Sequence, residues 1–349
     1  MTEHIEHTEY SEIIIIGAGP AGLTCARILA QAGRQVVLIE RKKQPGPKVC
    51  AGGITWNGFL RHVPQQILQR TFPEQHIITP WQHVYVREEQ PIIATVDRAE
   101  LGSWMSEKAI QAGARILTQT KALHISDDRV VVQSQNQRRD IRYSFLIGAD
   151  GANSMVRRYL NLPARFVGVA LNAMLPMRRE AMEWHLCPRY FRHGYGWIFP
   201  HKDAISVGAY IESGKLSTQT LKCNLMDWAR EQGIIIPPHM IRAGRINFDY
   251  CGHMFGRISL IGEAAGFASG LTGEGIYPAI VSARCVAHTL LGYKAQSGEI
   301  KNLIKHQQRH SRMLKLAGRH PILGGVLTNA LILMLRMRLI RFNTLELTE

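Results

Sequence analysis

Apolar residues in this chain follow two periods, and the switches between them lay out the elements. Ile13 to Ile16 is an unbroken β-branched run, the pattern of a strand buried on both faces of a parallel sheet. From Leu23 to Ala32 apolar positions recur at helical spacing, with Gly33 as a stop, and Val36 to Ile39 forms a second buried strand. The pattern next predicts a helix over Trp56–Leu68, strands over Ile77–Val86 and Pro91–Val96, a helix over Ala99–Ala112 and a short strand over Arg115–Leu117. Lys121–Ile125, Arg129–Ser134 and Ile141–Tyr143 alternate as a meander, and a buried strand follows from Phe145 to Gly148. Runs at Val167–Met174, Gly196–Phe199 and Ala204–Ile211, interrupted by one helix over Thr218–Gln232, predict an antiparallel sheet. A last buried strand, Ile258–Ile261, leads into a long helix ending near Gly292. Pro278 falls in the first turn of that helix, where its missing N–H costs least.

These elements predict an α/β protein with room, at 349 residues, for about two domains. A Rossmann-like unit is expected from the discontinuous segments 1–76, 97–164 and 256–295, with an inserted antiparallel-sheet substrate unit from 77–96 and 165–255. Segment 296–349 is helical and basic. Within it Pro321–Leu335 is too short an apolar run to span a bilayer comfortably, and Arg336, Arg338 and Arg341 follow. It reads equally as a core helix or as an anchor lying against a membrane.

The chemistry sits where buried strands end. Gly17, Gly19 and Gly22 form GxGxxG directly after the first strand, with Pro20 and Ala21 opening the helix. The first glycine makes the tight turn, the second admits a pyrophosphate to the backbone, and the third lets helix pack on strand. Glu40, at the end of the second strand, is placed for ribose hydroxyls. A glycine turn alone is a weak signal; the full strand–turn–helix–strand–acid unit is a strong one. The basic loop Arg41 to Lys48 lies beside it. Two more strands end in glycine–acid turns, Gly148 to Gly151 with Asp150, and Gly262 to Gly266 with Glu263. Several such turns from distant sequence imply one extended cofactor, and FAD fits better than NAD. In a strand, Tyr195, Trp197 and Phe199 share one face, either as sheet core or as an aromatic wall. Cys50, before the paired glycines Gly52 and Gly53, reads from spacing alone more readily as a small buried residue than as a catalyst.

The formal charge of +15 suits an anionic partner: a nucleotide cofactor, lipid headgroups or nucleic acid. No stretch interleaves basic residues with aromatics, which argues against nucleic acid, and the excess after residue 300 favours an anionic membrane surface. The six cysteines show no metal-ligand spacing, so no metal is expected. The acid-bearing start lacks a signal-peptide layout, and a cytoplasmic setting is expected, with contact to the inner face of the plasma membrane if the C-terminal segment is an anchor.

Several of these motifs together resemble the geranylgeranyl reductase family of FAD-dependent oxidoreductases, within the aromatic-hydroxylase-type flavoprotein fold. They are Gly17–Gly22, Lys48 to Gly53, Asp97-Arg98, Gly148 to Ser154, Tyr195 to Pro200 and Gly262 to Ile276. The resemblance implies FAD held by these turns together with Glu40, Arg41, Lys48, Arg98, Asp150, Glu263, Gly273, Gly275 and Ile276. It also implies a substrate cavity lined by Tyr195, Trp197, Phe199 and Pro200, and Cys50 as the acid or redox-active thiol. The implied reaction is reduction of carbon–carbon double bonds in a polyprenyl lipid, with an external electron donor such as NAD(P)H or ferredoxin. Where the family has Gly-Asp, this chain has Gly262-Glu263, one methylene longer, and its loop after Cys50 is less glycine-rich. Two alternatives stand beside this reading: an FAD-dependent monooxygenase acting on an apolar substrate, and a non-catalytic flavin-binding membrane-associated protein.

Overall fold

The computed structural model describes residues 9–56, 58, 62–293 and 297–319. In chain order the first elements are β1 (Glu9–Ile16), α1 (Pro20–Gln31), β2 (Val36–Ile39), β3 (Gly53–Thr55), β4 (Leu68–Phe72), β5 (Glu74–Ile78), β6 (His83–Arg87) and β7 (Ile93–Val96). Then come α2 (Arg98–Gln111), β8 (Arg115–Leu117), β9 (Thr120–Ile125), β10 (Arg129–Ser134), β11 (Gln137–Gly148) and α3 (Met155–Tyr159). The second half adds β12 (Val167–Leu175), β13 (Glu183–His185), α4 (Pro188–Phe191), β14 (Tyr195–Pro200), β15 (Ile205–Glu212) and α5 (Thr218–Glu231). It closes with β16 (Arg242–Asn247), β17 (Met254–Phe255), β18 (Ile258–Leu260), α6 (Ile276–Leu290) and α7 (Ser297–Arg319).

The first sheet runs β17-β18-β11-β1-β2-β8, parallel from β18 to β8. Its alternation sorts the isoleucines of β1: Ile13 and Ile15 pack with α1 and α6, and Ile14 and Ile16 pack with Val130, Val132 and Phe267. All four are buried, and each stabilises the fold by about 1.5–3 kcal/mol over exposure. Register then fixes the site. Ile16 pairs with Gly148, and Gly148 pairs with Leu260, so the turns after β1, β11 and β18 lie side by side at the carboxyl ends of adjacent strands. Strand β11 is longer than the sequence pattern suggests. Its twelve residues join the last meander strand to the buried strand before Asp150, pairing antiparallel with β10 and then parallel with β1. The β10–β11 turn is made by Gln135 (φ 48) and Asn136 (φ 65).

The second sheet runs β16-β12-β15-β14-β13-β5-β6, with α5 packed on it through Leu221, Leu225 and Trp228. A small third sheet, β3-β7-β4, joins the Cys50 loop to the end of the following strand pair. Three expectations change. Ile77–Val86 is two strands, because Thr79 Oγ1 accepts from the N–H groups of Trp81 and Gln82 and turns the chain at Pro80. The helix expected to Leu68 gives way after Pro64 to a 3₁₀ turn, Gln65–Ile67, and then to β4. The expected unit boundary at residue 77 falls inside β5, which belongs to the second sheet by pairing. Pro321–Leu335 lies outside the described residues. Among the described residues no helix is long and apolar enough to cross a membrane.

Candidate active site

One cavity of about 1350 Å³ lies between the carboxyl ends of the first sheet and the β14 face of the second. Pockets for a single small ligand measure roughly 300–1,000 Å³, so this one has room for a large cofactor and a guest.

The nucleotide end is built from backbone. Gly17 (φ +105) turns so tightly that an added Cβ would lie 2.5 Å from Ala149 O, and at Gly22 it would lie 1.9 Å from Gly17 O. Gly17, Gly19, Pro20 and Ala21 line the cavity, whereas Gly22 is a packing glycine behind the wall. Gly19 is the N-cap of helix α1 and Gly275 that of α6. Neither has a side-chain cap or an acid in its first turn, so two positive helix ends open on one cavity. Gly273 and Ile276 line the same wall. Tyr195 Oη donates to Thr272 O (2.5 Å) and Tyr210 Oη to Gly270 O (2.8 Å), which fixes this loop to the second sheet.

The acids are already partly engaged. Glu40 accepts from the N–H groups of Ala18 and Lys42, both at 2.9 Å. Asp150 Oδ2 accepts from Met155 N (2.6 Å) at the start of α3; burial pushes this carboxyl up, and hydrogen bonds from Ser154 and the backbone oppose it. Glu263 pairs with Lys48, so two residues expected to meet the cofactor meet each other across the cavity wall. Asp97 caps α2 by accepting from Ala99 N (2.7 Å) and Glu100 N (2.9 Å), and the next residue, Arg98, lines the cavity, as does Arg41. Three buried atoms on these residues, Arg98 Nε, Asp150 Oδ1 and Glu263 Oε2, have no hydrogen-bond partner among the described residues. Ribose and ribityl hydroxyls and a pyrophosphate supply the groups such atoms require, so the residues fit FAD.

The opposite wall is aromatic. Tyr195, Trp197 and Phe199 line it, joined by Trp184, whose ring centroid lies 5.3 Å from Tyr195 and 4.8 Å from Phe199. Pro200 does not line the cavity: alternation along β14 turns it away, and its carbonyl accepts from Thr95 Oγ1 (3.0 Å). Cys50 stands between the two ends. Its Sγ accepts from Gly52 N (3.4 Å), with Arg98 Nη1 at 3.9 Å. The sequence pattern does not single out Trp184, the polar residues Asn172, Ser206 and His201 behind the Cys50 loop, or Met313 and Leu314 of α7, which line the cavity. A lone Trp in a polar stretch and polar residues inside apolar strand runs were the available signals.

A nucleotide-binding parallel sheet facing an aromatic chamber defines a flavoprotein oxidoreductase. Residues 10–299 match the family model described as an FAD binding domain, and the chain belongs to that family as an FAD-dependent oxidoreductase with geranylgeranyl reductase relatives. It is 28% identical to an uncharacterised protein of Methanosarcina barkeri, over 88% of this chain and 81% of that one. It is also 28% identical to the chloroplastic geranylgeranyl diphosphate reductase of Nicotiana tabacum, over 80% of this chain and 66% of the tobacco protein. The crystal structure of a geranylgeranyl bacteriochlorophyll reductase-like protein from Thermoplasma acidophilum superposes with a TM-score of 0.73 at 20% identity, covering 88% of this chain and 84% of that one.

Proposed function

We propose that the chain reduces carbon–carbon double bonds in a polyprenyl lipid with an anionic headgroup, with Cys50 as the proton donor. The observation that carries this is the shared cavity: Cys50 lies between two uncapped helix N-termini and a wall of four aromatic rings. FAD, when bound, supplies the hydride after reduction by an external donor such as NAD(P)H or ferredoxin. Gly17, Gly19, Glu40, Arg41, Arg98, Asp150, Glu263 and the Gly273–Ile276 turn would hold it. An isolated alkene has no oxygen on which to place charge, so the carbon that does not take the hydride must receive a proton. The Sγ–H of Cys50 gives it, Arg98 steadies the thiolate left behind, and solvent returns the proton once the product has left. The aromatic wall holds the chain and excludes water.

Three cations, Arg192, Lys215 and Arg245, line the cavity on the second-sheet side together with His193, all exposed. Arg192 sits at φ 54, a left-handed conformation unusual for a non-glycine residue. These suit a phosphate-bearing headgroup. Lys301, Lys305, Arg309 and Arg312 form an outward row on α7 that suits an anionic lipid surface from which the substrate is drawn. In this reading the first sheet and its helices hold the cofactor, and the second sheet holds the guest.

Anaerobic incubation of dithionite-reduced protein with polyprenyl phosphates, read by mass, should show added hydrogen pairs. Cys50→Ala should lose about 10²–10⁴-fold in turnover while keeping its FAD. Undiminished turnover in that variant removes the thiol from the mechanism, and a product formed only in oxygen indicates monooxygenation instead.

A further inference from the structure

The loop that carries Cys50 is held by three successive carbonyls, each from a different direction. Cys50 O accepts from Asn172 Nδ2 (3.2 Å), Ala51 O from His201 Nε2 (3.0 Å) and Gly52 O from Val96 N (3.0 Å). Behind Asn172 the contacts continue: Ser206 Oγ donates to Asn172 Oδ1 (2.6 Å), and Trp197 Nε1 donates to Ser206 Oγ (3.0 Å). All three side chains are buried, and Ser206 is completely so.

The direction of this chain is dictated at both ends. An indole N–H only donates, so Ser206 accepts from it and turns its own proton towards Asn172. A backbone carbonyl only accepts, so Asn172 must present its NH₂ to Cys50. The amide therefore has a single orientation, and the aromatic strand β14 is coupled through β15 and β12 to the carbonyl of the thiol-bearing residue. His201 acts in parallel. Burial pushes its imidazole down, keeping it neutral with the proton on Nε2 that Ala51 O requires.

We propose that Asn172, oriented by Ser206 and Trp197, is a positioning residue that sets where the Cys50 thiol stands on the cavity wall. The role rests on the reading of Cys50 as proton donor, but the geometry can be tested without turnover. Ser206 is the cleanest place to break the chain because it does not line the cavity.

FAD-loaded Ser206→Ala and Asn172→Asp proteins are alkylated with iodoacetamide, and the Cys50 and Cys223 peptides are followed by mass. Cys223 is exposed on α5 and serves as an internal standard. The Cys50-to-Cys223 rate ratio should shift several-fold in both variants. Turnover number should fall about tenfold, with KM for the lipid nearly unchanged. An unchanged ratio in either folded variant, whatever its melting temperature, overturns the proposal and leaves the amide as a prop between strands. If neither variant folds, Trp197→Phe, which removes the indole donor along with part of the ring, decides by the same ratio. Full turnover in Cys50→Ala defeats the proton-donor reading alone, since the labelling ratio is read independently.

Discussion

Of the three glycines after β1, two are demanded by the fold, whereas the third, Gly19, is the one proposed to serve the cofactor, and this difference is measurable. Gly19 has φ −82 and ψ −179, which any residue adopts, and a Cβ built there meets nothing within 4 Å. A methyl at Gly19→Ala therefore fits the empty protein. Reduced freedom of the unfolded chain stabilises it by about 0.4–1 kcal/mol. Loss of a glycine N-cap in favour of alanine costs about as much. Melting of the apoprotein should move by no more than a few degrees. The methyl does, however, stand where the backbone N–H groups of α1 must meet a pyrophosphate. Hydrogen bonds to a charged group contribute about 1.5–3 kcal/mol each, so losing one weakens FAD binding by about tenfold or more. The assay titrates apoprotein with FAD, follows quenching of flavin fluorescence, and sets the result against apoprotein melting curves. Gly22→Ala provides the contrast, since its Cβ would press on Gly17 O and lower the melting temperature without any ligand. Wild-type FAD affinity in Gly19→Ala would refute the assignment of this turn to the pyrophosphate.

His310 on α7 shares a hydrogen bond with Ser269 Oγ (2.9 Å); burial, His306 and Arg309 push its imidazole down to about 4 from 6.5. The unfolded chain takes up the proton first, so this stability is complete above pH 6.5 and lost as pH falls towards 4, by up to about 3 kcal/mol. Melting temperature should drop across that window, less so in His310→Gln, and equal drops would exclude the imidazole as the cause. Glu263→Asp should retain FAD, whereas Glu263→Leu, which leaves Lys48 unpaired, should lose at least about 1.4 kcal/mol of affinity in the fluorescence titration; equal affinities would place Glu263 outside the cofactor site.

What the sequence reveals depends on whether burial or pairing builds the element. Val36–Ile39 is read to the residue, and Ile13–Ile16 marks the buried end of β1, because parallel strands under helices write continuous apolar runs. Strand β4 (Leu-Gln-Arg-Thr-Phe), β13 (Glu-Trp-His) and β16 (Arg-Ala-Gly-Arg-Ile-Asn) carry no such run, and backbone pairing with neighbours distant in sequence makes them strands. The three glycine–acid turns are legible one by one, but their adjacency comes from the register of β1, β11 and β18. The site shows the same division. Gly17, Asp150 and Tyr195 announce themselves by motif, while Asn172 and Ser206 look like faults in apolar strands until folding places them beside Trp197 and Cys50. The Lys48–Glu263 pair joins residues 215 positions apart, and no local pattern encodes it.

Strand β11 acts as a measuring rod. Its outer half hangs on the β10 hairpin, and its inner end delivers Ala149 and Asp150 to the cavity. Adding a single residue between Arg138 and Leu146 would swap the faces of everything beyond it and drive the acid away from α3. The hairpin tip at Gln135 and Asn136 is exempt, because length gained there is spent in solvent before the ladder begins. A fluorescent tag or a whole guest domain spliced at that tip should leave flavin uptake intact, whereas the same cargo a few positions later should abolish it.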